Sequence, residues 1–110
     1  MVISEPWVAR SRSRQVTFPS DLADPTVIAD EVATLARDLC VEITKDGRQA
    51  THVGVIVRTR TFFTQVKTGK LPEATTDKDI VEAGARQVLA RFEIARPVRL
   101  LGVRLDLAPL

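Results

Sequence analysis

The chain has one cysteine, one histidine, one tryptophan and one methionine, with no tyrosine and no asparagine, in 110 residues. A single thiol, Cys40, excludes an internal disulfide and a cysteine-based zinc site. It lies among residues of helical spacing and reads as a small core residue. So little cysteine is the usage of a reducing compartment, and a cytoplasmic location is expected. A lone His52 cannot assemble a metal site, which needs several convergent ligands. It reads as a surface or edge residue. No glycine-rich phosphate loop and no Ser/His/Asp arrangement is present. No apolar run is long enough to span a bilayer, and no charged start with an apolar stretch marks a secretory signal. No membrane partner is expected. What remains is ordinary: 45% hydrophobic and 27% charged residues, enough for one domain with one core.

A more telling absence lies inside the chain. Residues 48–72 hold five basic residues and no acid. Residues 1–20 carry a net +2 and residues 96–110 another +2, whereas 21–47 carry −5 and 73–95 carry −2. The basic segments have strand character and the acidic ones helix character. Arginine used only for solubility has no reason to avoid helices. A basic sheet backed by acidic helices attracts a polyanion to one face and repels it from the other.

Residues 1–9, with Pro6 and Trp7, have no periodicity and read as a linker, so the domain is expected to be cut from a longer chain. Arg10 to Phe18 alternates with period two: Arg12, Arg14, Val16 and Phe18 on one side, Ser11, Ser13, Gln15 and Thr17 on the other. Pro19 to Asp24 is expected to turn. Asp24-Pro25 is a helix start, an acceptor followed by a residue that needs no N–H. Ile28, Val32, Leu35, Leu39 and Ile43 then form one apolar stripe, with Asp30, Glu31, Thr34, Arg37, Asp38 and Glu42 toward solvent. Gly47 ends this helix. Ala50 to Thr59 and Thr61 to Lys70 are expected strands, turning near Arg60 and closed by Gly69 and Pro72. A second helix starts at Thr76 or Asp77 and buries Ile80, Val81, Gly84, Ala85, Val88 and Phe92. Gly84 in mid-helix costs about 1 kcal/mol relative to alanine, which a close approach of helix to sheet would justify. Pro97 to Leu107 is the last strand. The order β-α-β-β-α-β defines an α+β domain: a four-stranded, mostly antiparallel sheet with both helices on one face.

The candidate anion contacts are Arg10, Arg12, Arg14, Arg58, Arg60, Lys67, Lys70, Arg99 and Arg104. Ser11, Ser13, Thr59, Thr64 and Thr68 are interleaved with them. Hydroxyls and main-chain N–H groups beside cations suit a phosphate backbone. A solvated basic face is the bland alternative. Stacking on bases is poorly served, because the strands offer only Phe18, Phe62 and Phe63, and Phe18 reads as core. Duplex backbone contact with little sequence specificity is expected. An RNA- or single-strand-binding module of ferredoxin-like topology, a small acylphosphatase-type enzyme and a protein-interaction module are the alternatives. The second uses arginine with asparagine, which this chain lacks. Asp30 and Glu31 are adjacent on a helix and diverge, so they form no metal clamp.

Four segments together carry a family resemblance. Arg10-Ser11-Arg12-Ser13-Arg14-Gln15-Val16-Thr17-Phe18 is similar to a Lys-Ser-Ile-Gly-His-Glu-x-Thr-Phe strand. Val57-Arg58 through Phe62 and Thr64 resembles Val-Arg-x-x-Asp-Phe-x-Thr. Leu71-Pro72-Glu73-Ala74-Thr75 resembles Leu-Pro-x-Pro-Thr, and Val98 to Leu105 resembles a closing Arg-Leu-Leu-Gly-Val strand. These are motifs of the little-finger, or polymerase-associated, domain of Y-family translesion DNA polymerases, the DNA polymerase IV branch. The resemblance implies a domain at 10–110 that lies in the major groove of a primer–template duplex, beside palm, fingers and thumb, with residues 1–9 as the linker from the thumb. It implies DNA contacts at Arg10, Ser11, Arg12, Ser13, Arg14, Arg58, Thr64, Lys67, Thr68, Lys70, Arg99 and Arg104. Magnesium would belong to the palm of the parent enzyme, with no cofactor and no catalytic residue in this segment. A sliding clamp is a further partner of the family, although Leu105 to Leu110 does not match the Gln-Leu-x-Leu-Phe type of clamp-binding tail. Arg12 and Ser13 stand where Ile-Gly is usual, Gln15 where Glu is, and Thr61 where Asp is. Gly69 stands where a basic residue is common, and one contact is expected to be weaker for it.

Overall fold

The computed structural model describes residues 11–59, 64–92 and 97–108. The expected linker, Arg10, the turn at Arg60 and both Phe62 and Phe63 lie outside them. The elements are β1 (Ser11–Leu22), α1 (Pro25–Lys45), β2 (Ala50–Thr59), β3 (Thr64–Thr75), α2 (Lys78–Leu89) and β4 (Val98–Leu107). The strands form one sheet in the order β1-β4-β2-β3, with every neighbouring pair antiparallel.

Both helices begin where an aspartate can accept from the first turn. Asp24 accepts from Thr26 N–H and Asp77 from Asp79 N–H, each at 2.9 Å. α1 ends in a Schellman arrangement. Gly47 adopts φ 69°, its N–H donates to Thr44 O, and Arg48 N–H donates to Ile43 O at 2.9 Å. α2 stops at Leu89, short of Phe92, which is still buried in the core.

The core lies between one face of the sheet and the two helices. Val53, Val55 and Val57 of β2 and Leu101, Val103 and Leu105 of β4 meet the stripe Ile28, Val32, Leu35, Leu39 and Ile43 of α1 and Val81, Ala85 and Val88 of α2. The mid-helix glycine has the expected cause. A Cβ on Gly84 would stand 2.8 Å from Leu71 Cδ2 and 3.2 Å from Val53 Cγ1, so α2 rests almost on the sheet.

Two strands run further than the sequence suggests. β1 continues through Pro19 to Leu22, with an irregular register between Thr17 and Leu22. β3 continues through Pro72 to Thr75, with a bulge where β2 passes from His52 to Ala50. Both are edge strands, where a residue without an N–H leaves no ladder bond unmade. On these edge strands proline does not mark a turn.

Candidate nucleic-acid interface

Residues opposite one another in an antiparallel pair share a face, so the register fixes what the helix-free face presents. Across β1-β4-β2-β3 one end carries Ser11, Asp106, His52 and Lys70. The next row carries Ser13, Arg104, Gly54 and Thr68. Then come Gln15, Gly102, Ile56 and Val66, and last Thr17, Leu100, Arg58 and Thr64. Arg58, Lys70 and Arg104 are exposed, as are Ser13, Thr64 and Thr68. Seven of the expected contact residues therefore occupy one uncovered surface: Ser11, Ser13, Arg58, Thr64, Thr68, Lys70 and Arg104.

Their partners set how much charge each can offer. Arg58 Nε donates to Thr64 Oγ1 at 3.1 Å, which links β2 and β3. Arg104 Nε donates to Asp106 Oδ1 at 3.0 Å, so a local carboxylate competes for it. Lys70 makes no ion pair among the described residues. His52 sits between Asp106 and Lys70, with Nδ1 2.9 Å from Thr51 Oγ1.

Four expected contacts point elsewhere. Arg12 and Arg14 are opposite Leu105 and Val103, on the helix-bearing side. Arg12 pairs with Asp46 just past α1, and Arg14 lies 3.9 Å from Glu42 of α1. Lys67 is opposite Val55 on the same side, with its ammonium 5.6 Å from the centre of the Phe92 ring. Arg99 holds the irregular end of β1: it donates to Phe18 O at 3.3 Å and to Asp21 Oδ1 at 3.1 Å. The expectation that all these cations share one face is thus revised. Gly69 is also reinterpreted. It faces α2, and a Cβ there would lie 2.8 Å from Val88 Cγ2, so packing rather than a lost phosphate contact accounts for it.

Phe18 packs against the core and Phe92 is buried, so among the described residues the open face carries no Phe, Tyr or Trp, and the His52 imidazole is its one aromatic ring. No helix there is long and apolar enough to cross a membrane, and no group of three or more His, Cys, Asp or Glu converges. Cys40 is fully buried, and desolvation pushes its thiol pKa up to about 11, so it stays protonated as a core residue.

The opposite surface is laced by charge pairs that join the helices. Arg37 of α1 donates to Glu82 Oε1 of α2 at 3.0 Å. Arg86 donates to Glu82 Oε2 at 3.3 Å and lies 3.6 Å from Asp30. The hydrogen bond from Arg37, ahead of that from Arg86, holds the Glu82 carboxyl below its ordinary pKa. A carboxylate lowered in the folded state adds stability above its unfolded pKa of about 4.3, and that stability disappears as pH falls through the folded value. Glu82→Gln should therefore lower the urea midpoint at pH 7. The gap from the parent chain should close on acidification below about pH 4. A gap independent of pH would show that Glu82 acts through packing alone.

Comparison with known proteins places this architecture in a class. Residues 9–107 match the family described as the impB/mucB/samB family C-terminal domain. The chain belongs to that family, the little-finger domains of Y-family polymerases. It is 49% identical over 107 residues to DNA polymerase IV 2 of Mycobacterium tuberculosis (strain ATCC 25618 / H37Rv), covering 97% of this chain and 31% of that protein. It is 39% identical over 98 residues to DNA polymerase IV of Methanoculleus marisnigri, covering 89% of this chain and 27% of that one. The chain thus spans about a third of the length of the curated relatives it matches. Two solved structures share the fold. The complex of β-clamp processivity factor and little finger domain of PolIV has a TM-score of 0.71 at 19% identity, covering 91% of this chain and 90% of that chain. The post-insertion binary complex of Dbh DNA polymerase has a TM-score of 0.65 at 22% identity, covering 87% and 28%.

Proposed function

We propose that this domain grips the sugar–phosphate backbone of a primer–template duplex across the major groove, as the little finger of a translesion DNA polymerase of the DNA polymerase IV kind. The observation that carries this reading is the uncovered sheet face. It sets Arg58, Lys70 and Arg104 among Ser11, Ser13, Thr64 and Thr68, on a member of this family. Cations supply the field and hydroxyls the close-range bonds to phosphate. A surface that holds backbone tolerates a damaged base, because the damage leaves the phosphates in place.

The rest of the reading follows from the parent enzyme. Residues 1–9 are the linker from the thumb, and 10–110 the little finger. Polymerisation, with its magnesium-binding carboxylates, belongs to a palm outside this chain. Palm, fingers and thumb are the intramolecular partners, and a sliding clamp is a partner of the assembled polymerase. The site of action is cytoplasmic. Single-strand readout would require several stacked rings, and the described open face offers the His52 imidazole alone beside the aliphatic Ile56 and Val66.

Fluorescence anisotropy with labelled primer–template DNA tests the grip. Each neutralised phosphate contributes about −0.9 to the slope of log K against log salt, so the three described cations of the face give a slope of about −2.7. Converting Arg58, Lys70 and Arg104 together to alanine should make that slope shallower by about 2.7. The loss should be the same for unrelated duplex sequences. A parent slope near zero sinks the proposal.

A further inference from the structure

Between the cations of the open face lies a row with no charge. Gln15, Gly102, Ile56 and Val66 cross the sheet there, and Val66 is 59% exposed, the most exposed of the large hydrophobic side chains among the described residues. Ile56 is directly opposite it. Gly102 lets Ile56 lean inward, since a Cβ on Gly102 would lie 3.2 Å from Ile56 Cδ1. The apolar surface therefore spreads from the outer edge of β3 onto β4. Neither Ile56 nor Val66 belongs to the core cluster or packs against it, and Val66 lies on the sheet's outer strand.

The pair is bracketed by charge. Arg58 stands two residues from Ile56 along β2, and His52, four residues the other way, is opposite Lys70. From the Arg58 row to the Lys70 row is six residues of strand, about 20 Å. That length straddles a major groove about 12 Å wide, which admits a two-stranded ribbon. β2 and β3 form such a ribbon at the sheet's edge. With the two ends on phosphates of opposite rims, Ile56 and Val66 sit over the groove itself. The apolar group a base pair presents there is the C5 methyl of thymine.

We propose that Ile56 and Val66 pack against pyrimidine C5-methyl groups in the major groove, giving the backbone grip a preference for methyl-bearing duplex. This rests on the duplex-gripping reading above and deepens it. The cations hold any sequence, and the aliphatic pair adds a small bonus wherever a methyl passes beneath it.

Removing only the methyl isolates the effect. Anisotropy would compare a primer–template whose double-stranded part is all A·T with the same duplex carrying deoxyuridine for every thymidine. A buried methyl is worth about 2–4-fold in affinity, so the uracil duplex should bind about 2–4-fold more weakly, with an unchanged salt slope. The Ile56→Ser/Val66→Ser double variant should bind both duplexes alike. Its fold would be checked by circular dichroism and urea midpoint. Equal binding of the two duplexes by the parent chain overturns the methyl contact and leaves the backbone grip standing. A difference that persists in a folded double variant overturns it as well. Loss of all salt-dependent duplex binding by the parent chain overturns both readings together.

Discussion

Leu101→Ala is expected to destabilise the domain by about 2–5 kcal/mol. Leu101 is fully buried in β4, paired with Val16 on one side and Val57 on the other. Truncation removes three carbons, whose transfer is worth about 0.8 kcal/mol each. It also leaves a cavity that a central strand cannot close, because β1 and β2 hold β4 from both sides by main-chain bonds. A domain of this size has only about 5–15 kcal/mol in total, so the variant should lose a large part of its urea midpoint. The Ile56→Ser/Val66→Ser double variant, on the open face, should lose much less. A shift below about 1 kcal/mol for Leu101→Ala would show that the helices settle into the space.

The second large effect concerns Gly69. A lysine there restores the residue type common in the family, and if position 69 faced phosphate it would tighten DNA binding. The geometry gives the opposite expectation. A Cβ at 69 would sit 2.8 Å from Val88 Cγ2 and 3.9 Å from an Arg91 guanidinium nitrogen. Val88 is 2% exposed and has nowhere to go. Overpacking of this kind costs about 1–3 kcal/mol, and a second cation beside Arg91 adds repulsion. Gly69→Lys should therefore unfold at lower urea without steepening the salt dependence of duplex binding. A stable variant with a steeper slope would return Gly69 to the DNA-facing side.

Much of this was legible in the sequence. The five-residue stripe from Ile28 to Ile43, the aspartate before each helix and the element order fixed the architecture. Gly84 announced the close approach of α2 to the sheet. The faces of β1 were legible too, though the charges argued against reading them: the alternation that turns Val16 and Phe18 inward also turns Arg12 and Arg14 toward α1, where Glu42 and Asp46 meet them. Charge pattern alone names a sign, and parity decides a side. Arg99 and the run of β1 past Pro19 were not legible, because the hydrogen bonds that hold that edge join residues about eighty positions apart. The exposed Val66 also stayed hidden, since a valine in a strand looks the same from either face until the register is known.

One topological fact bears on how the polypeptide becomes a domain at all. The strand in the middle of the sheet, flanked by β1 and β2, is the last to be synthesised. Until Val98–Leu107 has left the ribosome, the first strand has no neighbour and the β2–β3 hairpin has one bare side. Closure must therefore wait for an insertion that joins distant parts of the chain, a slow kind of folding step with sticky precursors. Removing Val98–Leu107 would leave β1 with no strand beside it and β2 bare along one side.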